Sequence, residues 1–495
     1  MQSSLVQTNA HRWIYFRFFA FLWFAVSSQH RMVASEPFST VDKSVDASVD
    51  VDLDEALTIR SSIERHVLQM FSEMSPEARR GYRFLTEKVY LPADFNEQVL
   101  VRLDEQNLDT PLRDKPSVSK RHATWRAFGI APRHDDLTRP LQYVATGDGQ
   151  FVMNCFACHG GNTFGATFPG APNTTYSLAS LTESVLRVKL QEKFKLTHMD
   201  LGSVFMPLGT SVGSSNAVMF GVALMSFRDK DLNVLTRAPA AMTHHDMDTP
   251  PWWHFSRKTH IYADGFAEKS HKGLMQFMLV RQNGPDRFRE WSPDFEDIYQ
   301  FLTSVKPPKY PLTVDGESVV KGESIFVEHC ASCHGTYGSI SKYPELNIPI
   351  DEIGTDRLRW ESLTPQNRKH YGESWFADYD QQETITAPEG YTAPPLDGIW
   401  ATAPYLHNGS VPTLWHLLHP DRRPKIWRRI TIALDSEKVG FKIETPETVP
   451  EPLSNFDRRW YFDTDVRGKS ASGHHYPNRL SEDEKIAVLE YLKTL

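Results

Sequence analysis

The chain has 495 residues, of which 40% are hydrophobic and 23% charged, and its formal net charge is −8. That length accommodates two or three domains, and the composition excludes a wholly disordered chain, collagen and a polytopic membrane protein. No basic block stands out, which argues against nucleic acid as a partner, and four cysteines are too few for a disulfide scaffold at this size.

Residues 1–35 hold no acid and three arginines, Arg12, Arg17 and Arg31. Phe18 to Val26 is an unbroken apolar run, too short for a bilayer but suited to an export signal. Val33-Ala34-Ser35 offers small residues for cleavage. A signal peptide over 1–35 follows, with a mature protein that is periplasmic or secreted and has no membrane span. Losing three arginines takes the net charge from −8 to −11.

Residues 36–56 are acid-rich and low in complexity, and read as a tether. Residues 57–124 read as an N-terminal helical extension. Its helical stretch runs from about Leu57 to Val89, with Ile59, Ile63, Val67, Met70 and Phe71 at helical spacing and a second start at Ser75-Pro76-Glu77. Residues 125–310 and 311–495 read as two further domains. Each contains one cysteine pair and closes on an amphipathic helix, Phe295–Val305 and Glu482–Leu495. Ser481 and Glu484 form a capping box for the last one. Lys306 to Pro311 is the boundary between the halves. Segments around 160–215 and 340–410 are rich in Gly, Pro, Asn and Thr and read as ordered loops. No sustained run of alternating strands occurs, so the fold class reads as mostly α.

The chemistry lies in Cys155-Phe156-Ala157-Cys158-His159 and Cys330-Ala331-Ser332-Cys333-His334. Both are C-x-x-C-H, the c-type haem attachment signature. Two thiols three apart can add to the two haem vinyl groups, and the next residue brings an imidazole under the iron. From 4 cysteines and 20 histidines in 495 residues, a given Cys has a chance of about 3 × 10⁻⁴ of being followed by this pattern. A zinc site would use a Cys₄ or Cys₂His₂ set and a thioredoxin-like pair needs no histidine, whereas haem explains the paired histidines and the export signal together. Two covalently bound c-type haems are therefore expected, in two cytochrome c-like domains with long ordered loops. His159 and His334 are the expected proximal iron ligands.

All 13 methionines lie at or before Met278, so the second haem has no methionine in its own domain. Its candidate sixth ligands are His370, His407, His416, His419, His474 and His475, giving bis-His ligation or an open iron. For the first haem the candidates are His198, Met199, Met206, His244, His245, His254, His260 and His271, and composition does not choose among them. Asn173-Thr174-Thr175 and Asn408-Gly409-Ser410 fit the glycosylation pattern but read as turn chemistry. Asp356 and Asp397 read as caps or turns. A calcium site between the domains has no carboxylate cluster of EF-hand type behind it.

Asn154 to Gly161, Thr249 to Trp253, Ala403 to Leu414 and Ser472-Gly473-His474 together resemble the di-haem rubber oxygenase-like cytochromes, distant relatives of the di-haem cytochrome c peroxidases. The resemblance runs from about Glu77 to the C-terminus. It implies that the second haem is bis-His, with His474 as distal ligand and His475 a departure from the pattern. It also implies that the first haem keeps an open face for O₂ or H₂O₂. Trp253 takes the place of the family's aromatic near the active haem, and Phe266 that of a second pocket aromatic. The resemblance places His407 beside a haem rather than on an iron.

These readings describe a haem-dependent oxidoreductase, with the second haem relaying electrons to the first. An apolar organic substrate would need an apolar pocket, and Phe205, Met206, Met219, Phe220, Met225, Phe255 and Phe266 are available to line one. A redox partner protein is a further expectation. The alternative is a pure electron-transfer cytochrome with both irons six-coordinate.

Overall fold

The computed structural model describes residues 52–113, 118–200, 208–236 and 242–495. The signal peptide, most of the tether, Phe205 and Met206 lie outside these residues.

Asp52 caps the first helix, α1 (Leu53–Glu73), through its carboxylate. The face of α1 that is buried carries Ile59, Ile63, Val67 and Met70, the residues that recur at helical spacing. Ser75 caps α2 (Pro76–Glu87) by accepting from Ala78 N at 3.1 Å. A short antiparallel sheet in the order β1 (Phe95–Asn96), β3 (Gln150–Met153), β2 (Tyr143–Ala145) then leads into the first cysteine motif on α3 (Phe156–His159).

Two helices interrupt the stretch read as loops or lie just beyond it, α4 (Leu178–Gln191) and α5 (Ala217–Ser226). The closing helix of the first half, α6 (Pro285–Ser304), begins ten residues before the expected Phe295, because Pro285 at its first turn starts it and Pro293 is accommodated inside it. It packs on α2, where Gly81 lets the backbones meet: a Cβ there would lie 2.2 Å from Asp297 O. Arg80 adds an ion pair to Asp297 at 2.8 Å. The helical extension is thereby fixed to the helix that closes the first motif's segment.

In the second half α7 (Gly316–His329) runs through Cys330 into α8 (Ala331–His334). It crosses the terminal helix α9 (Glu482–Leu492) at Gly322, where a Cβ would sit 2.0 Å from Ala487 O. Ser481 Oγ accepts from Glu484 N, and Glu484 Oε2 accepts from Ser481 N at 2.7 Å, which is the expected capping box.

The fold is mostly α with small sheets. One sheet corrects the sequence reading. β4 (Ile426–Asp435) pairs with β5 (Gly440–Glu444) and β6 (Tyr461–Asp463), in the order β5-β4-β6. The adjacent arginines Arg428 and Arg429 mask the alternation in β4. Arg429 is nevertheless buried, its guanidinium 4.2 Å from the Phe441 ring centroid and bonded to Thr431 O and Ile432 O.

Candidate haem sites

The first motif is held by backbone and amide contacts around one turn of helix. Asn154 Oδ1 accepts from Phe156 N at 2.9 Å, and Gln142 Nε2 donates to Gly160 O at 2.6 Å. Asn173 is buried; its N–H reaches Cys158 O at 2.8 Å and its Nδ2 donates to Ala157 O at 3.0 Å. Asn408 is buried likewise, with Nδ2 on Ser470 O at 2.9 Å. Both glycosylation-pattern asparagines therefore serve the fold, as turn chemistry predicts.

His159 Nδ1 lies 3.1 Å from Pro250 O. A carbonyl can only accept, so Nδ1 carries the proton and Nε2 keeps its lone pair. Burial holds the imidazole down to about 4, so it is neutral at pH 7. This is the tautomer a metal-binding imidazole needs, with its second nitrogen oriented by a backbone carbonyl.

The second motif repeats the device. His334 Nδ1 lies 2.8 Å from Pro394 O, and burial lowers its pKa as well. Pro250 and Pro394 each open a Pro-Pro pair, 91 and 60 residues beyond the histidine they hold. The repeated pair was present in the sequence; its meaning needed the fold. Tyr337 hydroxyl donates to His334 O at 2.9 Å and accepts from Leu396 N at 2.7 Å, locking the motif to the Pro394 segment.

His474 faces His334, with ring centroids 6.2 Å apart and planes at 65°. Two imidazoles bonded on opposite sides of one metal at about 2.0 Å each, with roughly 1.1 Å from nitrogen to ring centre, place their centroids about 6.2 Å apart. The pair therefore fits one iron between them. His474 Nδ1 is buried without a partner, and burial followed by the His334 imidazole pushes its pKa down to about 3. Its backbone is in the left-handed region, with φ of 50° and its N–H on Ile353 O at 2.7 Å. Gly473 makes that approach possible, since a Cβ there would lie 2.3 Å from Gly354 C. Arg423 clamps the same loop, donating to Ala471 O at 2.6 Å and Gly473 O at 2.7 Å. Sequence reasoning passed over Arg423, which carries no local motif.

The other candidate histidines of the second half, except His475, are engaged elsewhere. His475 is exposed. His370 Nε2 contacts Arg228 O at 3.1 Å, and His416 Nδ1 lies 2.7 Å from Thr413 Oγ1. His419 spans Trp415 O and Glu482 Oε2. His407 stacks on Tyr391 at 4.1 Å.

The indole against His159 is Trp252, stacked at 4.9 Å and 22°. Trp253 turns the other way: it packs on Phe168 at 5.3 Å, and its Nε1 donates to Asp397 O at 2.7 Å. His254 Nε2 donates to the same carbonyl at 2.9 Å, and Arg257 holds the Asp397 carboxylate at 3.0 Å. Asp397 lies three residues after Pro394, so it is an anchor between the segments that hold His159 and His334 as well as a turn residue.

Phe266 is buried, stacked on Tyr262 at 4.6 Å and edge-on to Tyr371 at 5.4 Å. It walls a cavity of about 460 Å³ with Val222, Met225, Leu363, Tyr371 and His370. Of the other proposed lining residues, Met219 is buried outside this cavity's wall, and Phe255 packs on Tyr299 at 5.3 Å.

Comparison with known proteins touches the same ground. Residues 390–428 match a family model described as RoxA-like, cytochrome c-like. That RoxA-like stretch contains Pro394 and Asp397, the acceptor for His334 and the anchor for Trp253. A cytochrome c-like segment implies covalently bound c-type haem. Two proteins of Sinorhizobium fredii, both described as uncharacterized, are also similar. The protein y4iM is 30% identical over 239 residues, 40% of this chain and 53% of that protein. The protein y4iJ is 28% identical over 260 residues, 39% of this chain and 42% of that protein. The matched stretches thus span about half the length of these relatives.

Proposed function

We propose that this protein is an exported di-haem c-type cytochrome that acts as an oxidoreductase. In this reading, haem bound at Cys155, Cys158 and His159 meets O₂ or H₂O₂, and haem bound at Cys330, Cys333 and His334 relays electrons. The observation that carries the reading is the difference between the two histidines. His334 faces a second imidazole, His474, at a spacing that suits one iron, whereas among the described residues the ring packed on His159 is the Trp252 indole. In this reading one centre is closed by protein and the other is open to a small molecule. Export rests on the acid-free, apolar N-terminal segment.

The haem iron, when bound, supplies the redox and O₂ chemistry. The protein orients and insulates. Pro250 and Pro394 carbonyls fix the imidazole tautomers, and the Trp253–Asp397 bond holds the two proximal segments in register. Trp253 is proposed to pass electrons between the halves, and Phe266 to wall the pocket for an apolar organic substrate. A redox partner protein would supply or remove electrons.

Intact mass, with absorption and EPR spectra of the oxidised protein, tests the reading. The expected result is two haems, one low-spin and one that shifts on adding cyanide or, once reduced, CO. A mass equal to the bare chain overturns it. Spectra of both haems unmoved by cyanide, CO and O₂ would replace it with a pure electron carrier.

A further inference from the structure

An unbalanced buried charge surrounds Asp264. Its carboxylate is 0% exposed and receives Arg359 Nη2 at 3.4 Å and Arg368 Nη2 at 2.7 Å. Arg359 is 1% exposed and Arg368 3%. Two buried guanidiniums therefore face one buried carboxylate, and one positive charge is left over.

The donors show the same deficit. Arg359 Nε and Nη1 and Arg368 Nε are buried with no hydrogen-bond partner, as are both ring nitrogens of the neighbouring His245. His245 and His407 cannot balance the charge. Burial, and then the Arg359 charge, hold them down to about 4 and about 3, so both are neutral at pH 7. Guanidinium groups stripped of water persist only where an anion stands beside them.

Intervening residues link the cluster to both motifs, beginning with His245, which lies within electrostatic reach of Arg359. Cys158 Sγ lies 3.9 Å from Ser215 Oγ, and Ser215 pairs with Met247, two residues from His245. On the other side Thr355, whose buried hydroxyl also lacks a partner, follows the Ile353–Gly354 turn that receives His474.

We propose that Arg359 and Arg368 form a buried receptor for a propionate carboxylate of a covalently bound haem. One carboxylate matches the excess charge, and a planar guanidinium fork suits carboxylate recognition. The proposal rests on the haem reading above. Either haem carries the same propionates, so the test must separate them. Cations beside a haem favour the reduced iron, which carries one positive charge fewer, so the receptor raises the potential of the haem it holds.

The experiment is an EPR-monitored redox titration of the full-length holoprotein, with haem count first checked by intact mass. A parallel titration of His474→Ala marks which signal belongs to the second haem. Arg359→Gln is expected to keep two haems and lower the midpoint potential of one of them. Arg359→Lys should restore most of the loss, and Asp264→Asn should move the same haem upward. A merely structural arginine would change thermal stability and leave both potentials in place. Unchanged potentials of both haems in Arg359→Gln and Asp264→Asn overturn the receptor. Should Arg359→Gln fail to accumulate, Arg368→Gln and Asp264→Asn read the same charge. A wild-type protein without haem sinks the underlying reading instead.

Discussion

The indole N–H of Trp253 donates to the carbonyl of Asp397 at 2.7 Å, across 144 residues of chain. Trp253 stands three residues after Pro250, which holds His159, and Asp397 three after Pro394, which holds His334. One hydrogen bond thus ties together the two backbone segments that orient the two imidazoles.

Trp253→Phe removes this bond while keeping an aromatic ring in place. Asp397 O keeps its bond from His254, so the lost bond costs about 1 kcal/mol and the smaller buried ring adds about 1–2 kcal/mol, read as a fall in the chemical denaturation midpoint. If Trp253 also carries electrons, the variant keeps both haem spectra and loses turnover. Unchanged turnover would confine it to the structural role.

His474→Ala should turn a low-spin iron signal high-spin without loss of covalent haem. Arg423→Gln should give a mixture of the two, because the loop at 471–473 loses its clamp while the imidazole remains. EPR separates these outcomes. An unchanged low-spin signal in His474→Ala would move the ligand role to another side chain.

Gly322→Ala should cost about 2–3 kcal/mol, since the new Cβ would fall 2.0 Å from Ala487 O and force α7 away from α9. α7 leads directly into Cys330, so haem attachment at the second motif should also drop, measured by mass. Ala substitution at the neighbouring exposed Val320 is the control and should leave both unchanged.

Asp94 is buried and accepts from Met153 N at 3.0 Å. Burial pushes its pKa from the ordinary aspartate range up to about 7. A carboxyl raised in the folded state favours the protonated form there. Its contribution is complete below about pH 4 and fades as pH rises through 7, where the unfolded chain has already ionised. Over that window wild-type stability should decline by roughly 3 kcal/mol relative to Asp94→Asn, in denaturation curves collected at pH 4.5 and 7.5. Parallel pH profiles for the two proteins would place the titration elsewhere.

Much of this molecule is written in local sequence. The stripe Ile59, Ile63, Val67 and Met70 buries α1 as its spacing requires, and Ser75 and Ser481 cap the helices they precede. Such features need only a few consecutive residues, because helix periodicity and caps are local effects. The C-x-x-C-H motifs are local in the same sense and identify haem chemistry before any fold is known. The strands β4 to β6 were not legible. Their pairing joins residues up to 37 positions apart, and Arg429 in β4 reads as exposed until Phe441 and the carbonyls of Thr431 and Ile432 enclose it.

What the sequence alone determined was the mostly helical class, and its two C-x-x-C-H motifs pointed to cytochrome c-like chemistry. Only tertiary structure decided how each imidazole is held and what faces it. Pro250, Pro394, Asp397, Arg423 and His474 meet their partners across tens of residues or more, so no local pattern records those contacts. The physical reason is that an imidazole's tautomer and an arginine's neutralisation depend on which groups share its low-dielectric surroundings, and long-range packing alone sets that company.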